Sequence, residues 1–233
     1  ISAKTGGNYG EIWGTAYRRV EDKSSPYYGK LLLNSSGVPQ GTSDLRKLGD
    51  QQAICLLGWN NSFKIWDFSL SFLIDARIGG QMYSGTNKAL QANGTAALTV
   101  VNGSRDEFVV DGVIEDGNNG YVVSDIKVTP QQYWSAVTSG NLGIGEANVY
   151  DATNVRLRNV SLTYAFPRRL LERQKVLQQV KLGFTCTNVA MIYSAMNGVD
   201  PESVFAVNTN AYGFENLSSP TSRTFLFNVI LGF

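Results

Sequence analysis

The sequence predicts an all-β chain, an antiparallel β-barrel of the transmembrane kind, and three observations predict it. The first is the terminal stretch, where Phe225, Phe227, Val229, Leu231 and Phe233 repeat at every second position with Thr224, Asn228 and Gly232 between them. Such alternation marks a strand with one face in an apolar medium, and about ten residues suffice to cross a bilayer at barrel tilt. The second is that connections between predicted strands alternate short and long. The third is composition: 24 Gly, 4 Trp, 11 Tyr and 11 Phe suit turns and aromatic belts. No run approaches the roughly 20 apolar residues of a membrane helix. The terminal strand alone fits a soluble sandwich equally well; the connection lengths separate the two.

Taken in order, Gly6–Gly10 reads as a turn and Glu11–Arg19 as a first strand, with Ile12, Trp13 and Tyr17 as its bulk. Residues 20–48 carry turn chemistry around Pro26, Pro39 and Gly41 and read as a long loop. A second strand follows over Gln51–Trp59, and Asn60-Asn61 reads as a short turn. In the third strand Phe68, Leu70, Phe72 and Ile74 form one face, and Ser69, Ser71, Asp75 and Arg77 the other. Residues 79–153 are rich in Gly, Asn and Ser. They read as one elaborated loop without a domain boundary, holding short strands over 97–101 and 121–128 and a helical turn at 130–136. A loop that long implies a functional reason.

The fourth strand, Val155–Phe166, changes phase midway, because Val155 and Leu157 are odd while Val160, Leu162, Tyr164 and Phe166 are even. A bulge at Arg158-Asn159 reconciles the two halves. Pro167 ends it, and 168–178 reads as a short helical or basic connector. Val180, Leu182, Phe184 and Cys186 define the fifth strand, residues 188–222 another long loop, and the terminal strand is the sixth. Asn60-Asn61 and 168–178 then fall on one side of the membrane, and the loops 20–48, 79–153 and 188–222 on the other.

Composition also removes function classes. The 20 basic and 19 acidic residues leave a net charge of +1, so no bulk electrostatic case exists for nucleic acid. Histidine is absent, which removes Ser-His and Cys-His nucleophiles, His-ligated zinc and imidazole acid–base catalysis. No catalytic residue and no cofactor site is expected. Cys55 and Cys186 make neither a zinc pattern nor a disulfide framework, and each reads as a small buried hydrophobe in an apolar run. The chain starts at Ile1 without Met or a signal segment, as expected of a matured protein or a piece of a longer one.

Several short patterns, in this order along the chain, resemble the C-terminal portion of the SusC/RagA family of TonB-dependent outer-membrane transporters of Bacteroidetes. They are Gly10-Glu-Ile-Trp-Gly14, Leu48-Gly49-Asp50 leading to Gly58 and Asn61-Ser-Phe63, and Asp75-Ala-Arg-Ile-Gly-Gly80. Further on come Tyr150 to Tyr164 with Phe166-Pro167, Thr187-Asn188, Asp200-Pro-Glu202 and Ser219-Pro-Thr-Ser-Arg223 before the final Phe. The chain departs from the family at Gln51-Gln-Ala after Gly49-Asp50, where an Asn-Pro-Asp-like step is common, and at Val189, where Leu is usual. The resemblance implies about the last six strands of a plugged barrel of roughly 22, embedded in outer-membrane lipid. It implies import of oligosaccharides, or in some members peptides, with a SusD-like surface lipoprotein outside. Energy would come from the TonB-ExbB-ExbD complex through an N-terminal region that this sequence does not hold. A secreted or surface β-sandwich with a binding or adhesive role is the alternative.

Candidate functional residues follow from the strand faces and the loops. Asp75 and Arg77 lie opposite the apolar stripe and therefore towards the lumen, as do Arg156 and Arg158. Each reads as half of a solvated ion pair, or as a contact to a plug or a substrate path. Tyr133 and Trp134 sit in the longest loop, where aromatics stack on sugar rings or pack within the loop. Asp116 to Gly120 lacks the spacing and final Glu of a calcium loop and reads as a plain turn. Gly140 to Gly145 has no βαβ context and is not a nucleotide loop. By the resemblance, Phe233 would be the terminal aromatic recognised during barrel assembly.

Overall fold

In the computed structural model, which describes residues 1, 4–101, 103–117, 120–172, 176–196, 198–205 and 211–233, the alternating segments form one antiparallel sheet. Its five strands are β1 (Cys55–Ile65), β2 (Phe68–Ile78), β3 (Asn154–Ala165), β4 (Gln179–Ser194) and β5 (Thr224–Gly232). Each pairs with its neighbour in sequence order, an up-and-down meander with β1 and β5 as open edges. The sheet lies in a compact unit made of residues 53–80, 151–203 and 219–233; residues 1–52, 81–150 and 204–218 make a second unit.

Register sorts the side chains into two faces. Leu57, Trp59 and Phe63 of β1 stand opposite Ala76, Ile74 and Leu70 of β2. Leu70, Phe72 and Phe68 stand in turn opposite Leu162, Val160 and Tyr164 of β3. The same row continues through Leu182, Phe184 and Cys186 of β4 to Val229, Phe227 and Phe225 of β5. Asn61, opposite Phe72, interrupts it. Among the described residues nothing covers this face at its β5 end: Phe227 is 76% exposed and Val229 62%. Eleven residues of β2 reach about 36 Å along the strand. At a 45° tilt that projects to about 26 Å, the height of a barrel's lipid-facing band.

The bulge expected in β3 is present. Pairing with both neighbours shifts between Leu157 and Asn159, leaving Arg158 as the extra residue. Without it, Val155 and Leu157 would stand on the polar face when Val160 and Leu162 stand on the apolar one. In β4 the slack is taken up at Asn188, whose φ of +50° is a left-handed conformation that Asn tolerates better than most residues.

Several expectations require correction. The strand expected over Gln51–Trp59 starts later and runs longer, as Cys55–Ile65, and 97–101 holds a 3-10 turn over Ala97–Thr99 in place of a short strand. Asn60-Asn61 is no turn: β1 runs through it, and the reversal lies at Trp66-Asp67, where Trp66 has φ +54°. An Asn-Asn pair reads as a turn from propensity alone, but its register with Phe72 and Leu73 makes it mid-strand. The strand expected over Glu11–Arg19 is shorter, Glu11–Gly14, and pairs with Arg46–Asp50 in the other unit, so the large sheet has five strands rather than six. The last loop is also shorter than 188–222, because β4 continues to Ser194.

The segment read as an elaborated loop is instead folded, together with residues 1–52 and 204–218. Leu33, Val110 and Val128 form one small core, and Val20, Leu32 and Val113 another. Two helices belong here: α1 (Gly85–Ala92) and α2 (Pro130–Val137). The helical turn expected at 130–136 is thus a full helix. Thr129 and Gln132 form a reciprocal capping box at its start, with Pro130 in the first turn, a device worth about 1 kcal/mol. The basic connector holds a single helical turn, Arg168–Leu171, and its residues 173–175 lie outside those described. Both cysteines are free; Cys186 is buried and Cys55 half-buried.

Candidate functional site

The polar face of the sheet gathers the charged residues that the sequence singles out. Asp75 and Arg77 project from β2 at alternate positions and stand opposite Arg156 and Asn154 of β3. Asp75 does not pair with its same-strand neighbour. Its carboxylate accepts from Arg158 Nε at 2.7 Å, because the bulge carries Arg158 onto this face. Arg158 also donates through Nη1 to Glu202 Oε2 at 2.8 Å and to Asn188 Oδ1 at 3.3 Å. Arg156, buried, pairs with Asp200 and donates to Thr221 Oγ1 at 3.1 Å.

Asp200 gathers further donors of its own. It accepts from the backbone N–H groups of Glu202 at 3.0 Å and Thr221 at 3.1 Å, and from the Thr221 hydroxyl at 2.6 Å. Burial alone would raise its pKa, but Arg156, the Thr221 hydroxyl and the two amides outweigh burial and hold it at about 2. Arg158 holds Glu202 below the usual carboxylate range as well. Arg156 and Arg158 thus meet three carboxylates (Asp75, Asp200, Glu202) beside one strand pair, with Arg77 on the same face. The effect is to fasten the Asp200-Pro-Glu202 segment onto the sheet through side chains that leave little free hydrogen-bonding capacity. A cavity of about 420 Å³ opens beside this cluster, with Arg156, Asn188, Asp200, Thr221 and Arg223 among its walls.

In the other unit Tyr133 and Trp134 diverge. Tyr133 packs on the Leu33–Val110–Val128 core, its ring 5.6 Å from Phe108, and burial raises its hydroxyl pKa. Trp134 stands edge-on to Tyr133 at 5.0 Å and lines a cavity of about 400 Å³. The cavity lies between the C-terminal turn of α1, which ends at Asn93-Gly94, and the first turn of α2. Gly94 has φ +68°, so its backbone supplies the left-handed step that closes the helix. Gln91 closes the inner side; it exchanges two hydrogen bonds with Asn148, at 2.9 and 3.1 Å, a buried reciprocal amide pair.

Two buried carboxylates went unremarked in the sequence. Glu11 accepts from Lys47 Nζ at 2.6 Å, Trp13 Nε1 at 2.9 Å and the Asn8 amide at 3.1 Å, and Lys47 and Trp13 hold it at about 2. This gives the Gly10-Glu-Ile-Trp-Gly14 pattern a structural reason. Glu215, fully buried, accepts from Ser84 Oγ at 2.8 Å, from the Ser218 amide at 3.2 Å and from the Thr86 hydroxyl, at the N-terminus of α1. No local sequence signal marks it, because Glu215 lies 131 positions from Ser84 and reaches the start of α1 only through the fold.

The remaining sequence features are simpler. Asp116 and Gly120 close a turn through two hydrogen bonds, at 3.1 and 2.8 Å; residues 118 and 119 lie outside those described. Among the described residues no group of three or more Cys, Asp or Glu side chains could hold a metal, and no helix is long and apolar enough to cross a membrane. Phe233 follows β5 and is 74% exposed. It lies at the same end of the sheet as the Trp66-Asp67 turn, where Phe68, Tyr164 and Phe166 contact one another in series, at 4.6 and 5.0 Å between ring centres.

No protein-family profile matches the chain. It is 27% identical over 237 aligned positions to TonB-dependent receptor P3 of Formosa agariphila, an alignment covering 98% of this chain and 21% of that protein. In fold it is similar to a chain of the RagAB peptide transporter, with a TM-score of 0.58 at 17% identity over 96% of this chain and 22% of that one. It is also similar to a chain of the RagAB peptide importer in its closed-closed state, with a TM-score of 0.57 at 17% identity. The resemblance read from the short motifs therefore holds in sequence and in fold, and the chain spans about a fifth of the length of these relatives. The proteins it matches are named as a receptor and a transporter.

Proposed function

We propose that this chain forms the closing strands and external folded loops of a TonB-dependent importer in the bacterial outer membrane. One observation carries the reading: a five-stranded meander with an uncovered apolar face, an aromatic rim and a charged opposite face. In water an apolar face of that extent is a liability; in a barrel it meets lipid, and the charged face meets a hydrated lumen. Five strands cannot close, so strands from the rest of the polypeptide would pair with the edges at β1 and β5. The likeness to a TonB-dependent receptor and to RagAB supports energy input from TonB-ExbB-ExbD and a SusD-like lipoprotein as partner. Short peptides and oligosaccharides are the proposed cargo, and Phe233 the proposed assembly signal.

A secreted sandwich is the weaker reading, since the apolar side chains of β5 such as Phe227 and Val229 are exposed rather than packed in a core. Fractionation of native membranes tests the proposal. The full-length protein should extract only with detergent and co-purify with a lipoprotein in comparable amount. Recovery as a folded soluble monomer would overturn the membrane reading, and recovery without a lipoprotein would overturn the partner.

A further inference from the structure

We propose that the cavity between the end of α1 and the start of α2 binds a carboxylate-bearing ligand, with Arg105 as the anion contact and Trp134 as the apolar wall. Its volume, about 400 Å³, suits one sugar ring or one to two amino-acid residues. The walls are polar but not acidic: Gln91, Asn93, Thr99, Arg105 and Gln131 contribute, and neither Asp nor Glu lines it. The first turn of α2 faces the same space and adds the positive end of a helix dipole.

Arg105 is set apart from its fellows. The unit holds four arginines, and Arg18, Arg19 and Arg46 are paired with Glu115, Glu146 and Glu21. Arg105 instead donates one hydrogen bond, from Nη2 to the Gly94 carbonyl at 2.7 Å, and has no ion-pair partner among the described residues. The nearby Asp106 is engaged by the Ser104 hydroxyl at 2.8 Å. A guanidinium has five donors in a fixed fork. One bond to the helix end ties the exposed Arg105 fork to the cavity wall and leaves its other donors for a bidentate carboxylate. The Trp134 ring offers the flat surface on which a sugar ring or an aliphatic side chain lies.

A carboxylate is common to a uronic acid residue and to a peptide C-terminus, and the test separates the two. The choice of ligands rests on the importer reading, but the measurement is equilibrium binding to the purified full-length protein in detergent, which does not depend on transport. Calorimetry is run with trigalacturonate, maltotriose, tri-alanine and tri-alanine amide. Trigalacturonate, tri-alanine or both should bind, and binding should weaken with salt; the one that binds names the source of the carboxylate. Maltotriose and the amide should bind at least about ten-fold more weakly.

Arg105→Gln should lose about ten-fold or more in affinity. Because that substitution also removes the contact to Gly94, Gln131→Glu is the second variant. It places an acid in the first turn of α2, which favours the helix, while repelling an anion in the cavity, so affinity should fall several-fold with thermal stability unchanged or raised. No binding of either acid, wild-type affinity in both variants, or, where tri-alanine binds, equal binding of its amide would overturn the proposal.

Discussion

Replacing Phe227 by Arg probes the two-faced sheet most directly. Phe227 sits mid-strand in β5, directly opposite Phe184, with ring centres 5.0 Å apart on the apolar face. An Arg at the bilayer midplane costs roughly 2–4 kcal/mol, and loss of the aromatic pair adds about 0.5–1.5 kcal/mol. The folded-to-unfolded ratio should therefore fall on the order of 10²–10⁴-fold. Asn228 is one residue on and on the other face, lying over Gly183, which has no side chain to oppose a larger one. An Arg there stays hydrated and should cost within about 0.5 kcal/mol, as surface substitutions do. Urea titration of the full-length protein refolded into lipid vesicles, with outer-membrane abundance as a second readout, measures both. A soluble sandwich also rejects Phe227→Arg but folds without detergent, so the wild type is assayed for detergent-free folding in parallel. Equal tolerance of the two substitutions would refute the assignment of faces.

Three further expectations follow from the same contacts. In a variant lacking Cys55 and Cys186, a single Cys at Asp67 should resist a membrane-impermeant maleimide on intact cells while one at Lys23 reacts; the reverse pattern would invert the topology. Asp200 has a depressed folded-state pKa, so its pairing with Arg156 stabilises above the unfolded value near 3.9 and is lost as pH falls towards about 2. The stability advantage of wild type over Asp200→Asn should accordingly persist from pH 7 to pH 5 and vanish near pH 2, and a constant difference across that range would show that the charge does not matter. Gly183→Ala should destabilise, because its Cβ would overlap Asn228 Oδ1, and Asn228→Ala should restore the loss in the double variant; additive effects in that cycle would place the clash elsewhere.

By itself the sequence determined the strands whose alternation is local: β2, β3 with its bulge, β4 and β5 are all readable because a half-apolar strand must repeat every second residue. It also determined which residues share the charged face, since Asp75, Arg77 and Arg156 follow from the same period. The partners on that face were decided only by tertiary structure. Asp75 meets Arg158 across strands, and Asp200 and Glu202 arrive from a loop more than forty positions later, at |i−j| = 44 from Arg156 and Arg158. No local period encodes such a meeting. The reversal at Trp66-Asp67 was masked for a related reason: turn propensity favours Asn60-Asn61, and only register against β2 overrides it. The interleaved unit was the least legible part. Its elements are two to eight residues long and its cores are shared between segments far apart in sequence. Tyr133 and Trp134, adjacent in the chain, consequently go to different ends, one into packing and one to the wall of a cavity, because a helix turns successive side chains by about 100° and the surroundings decide the rest.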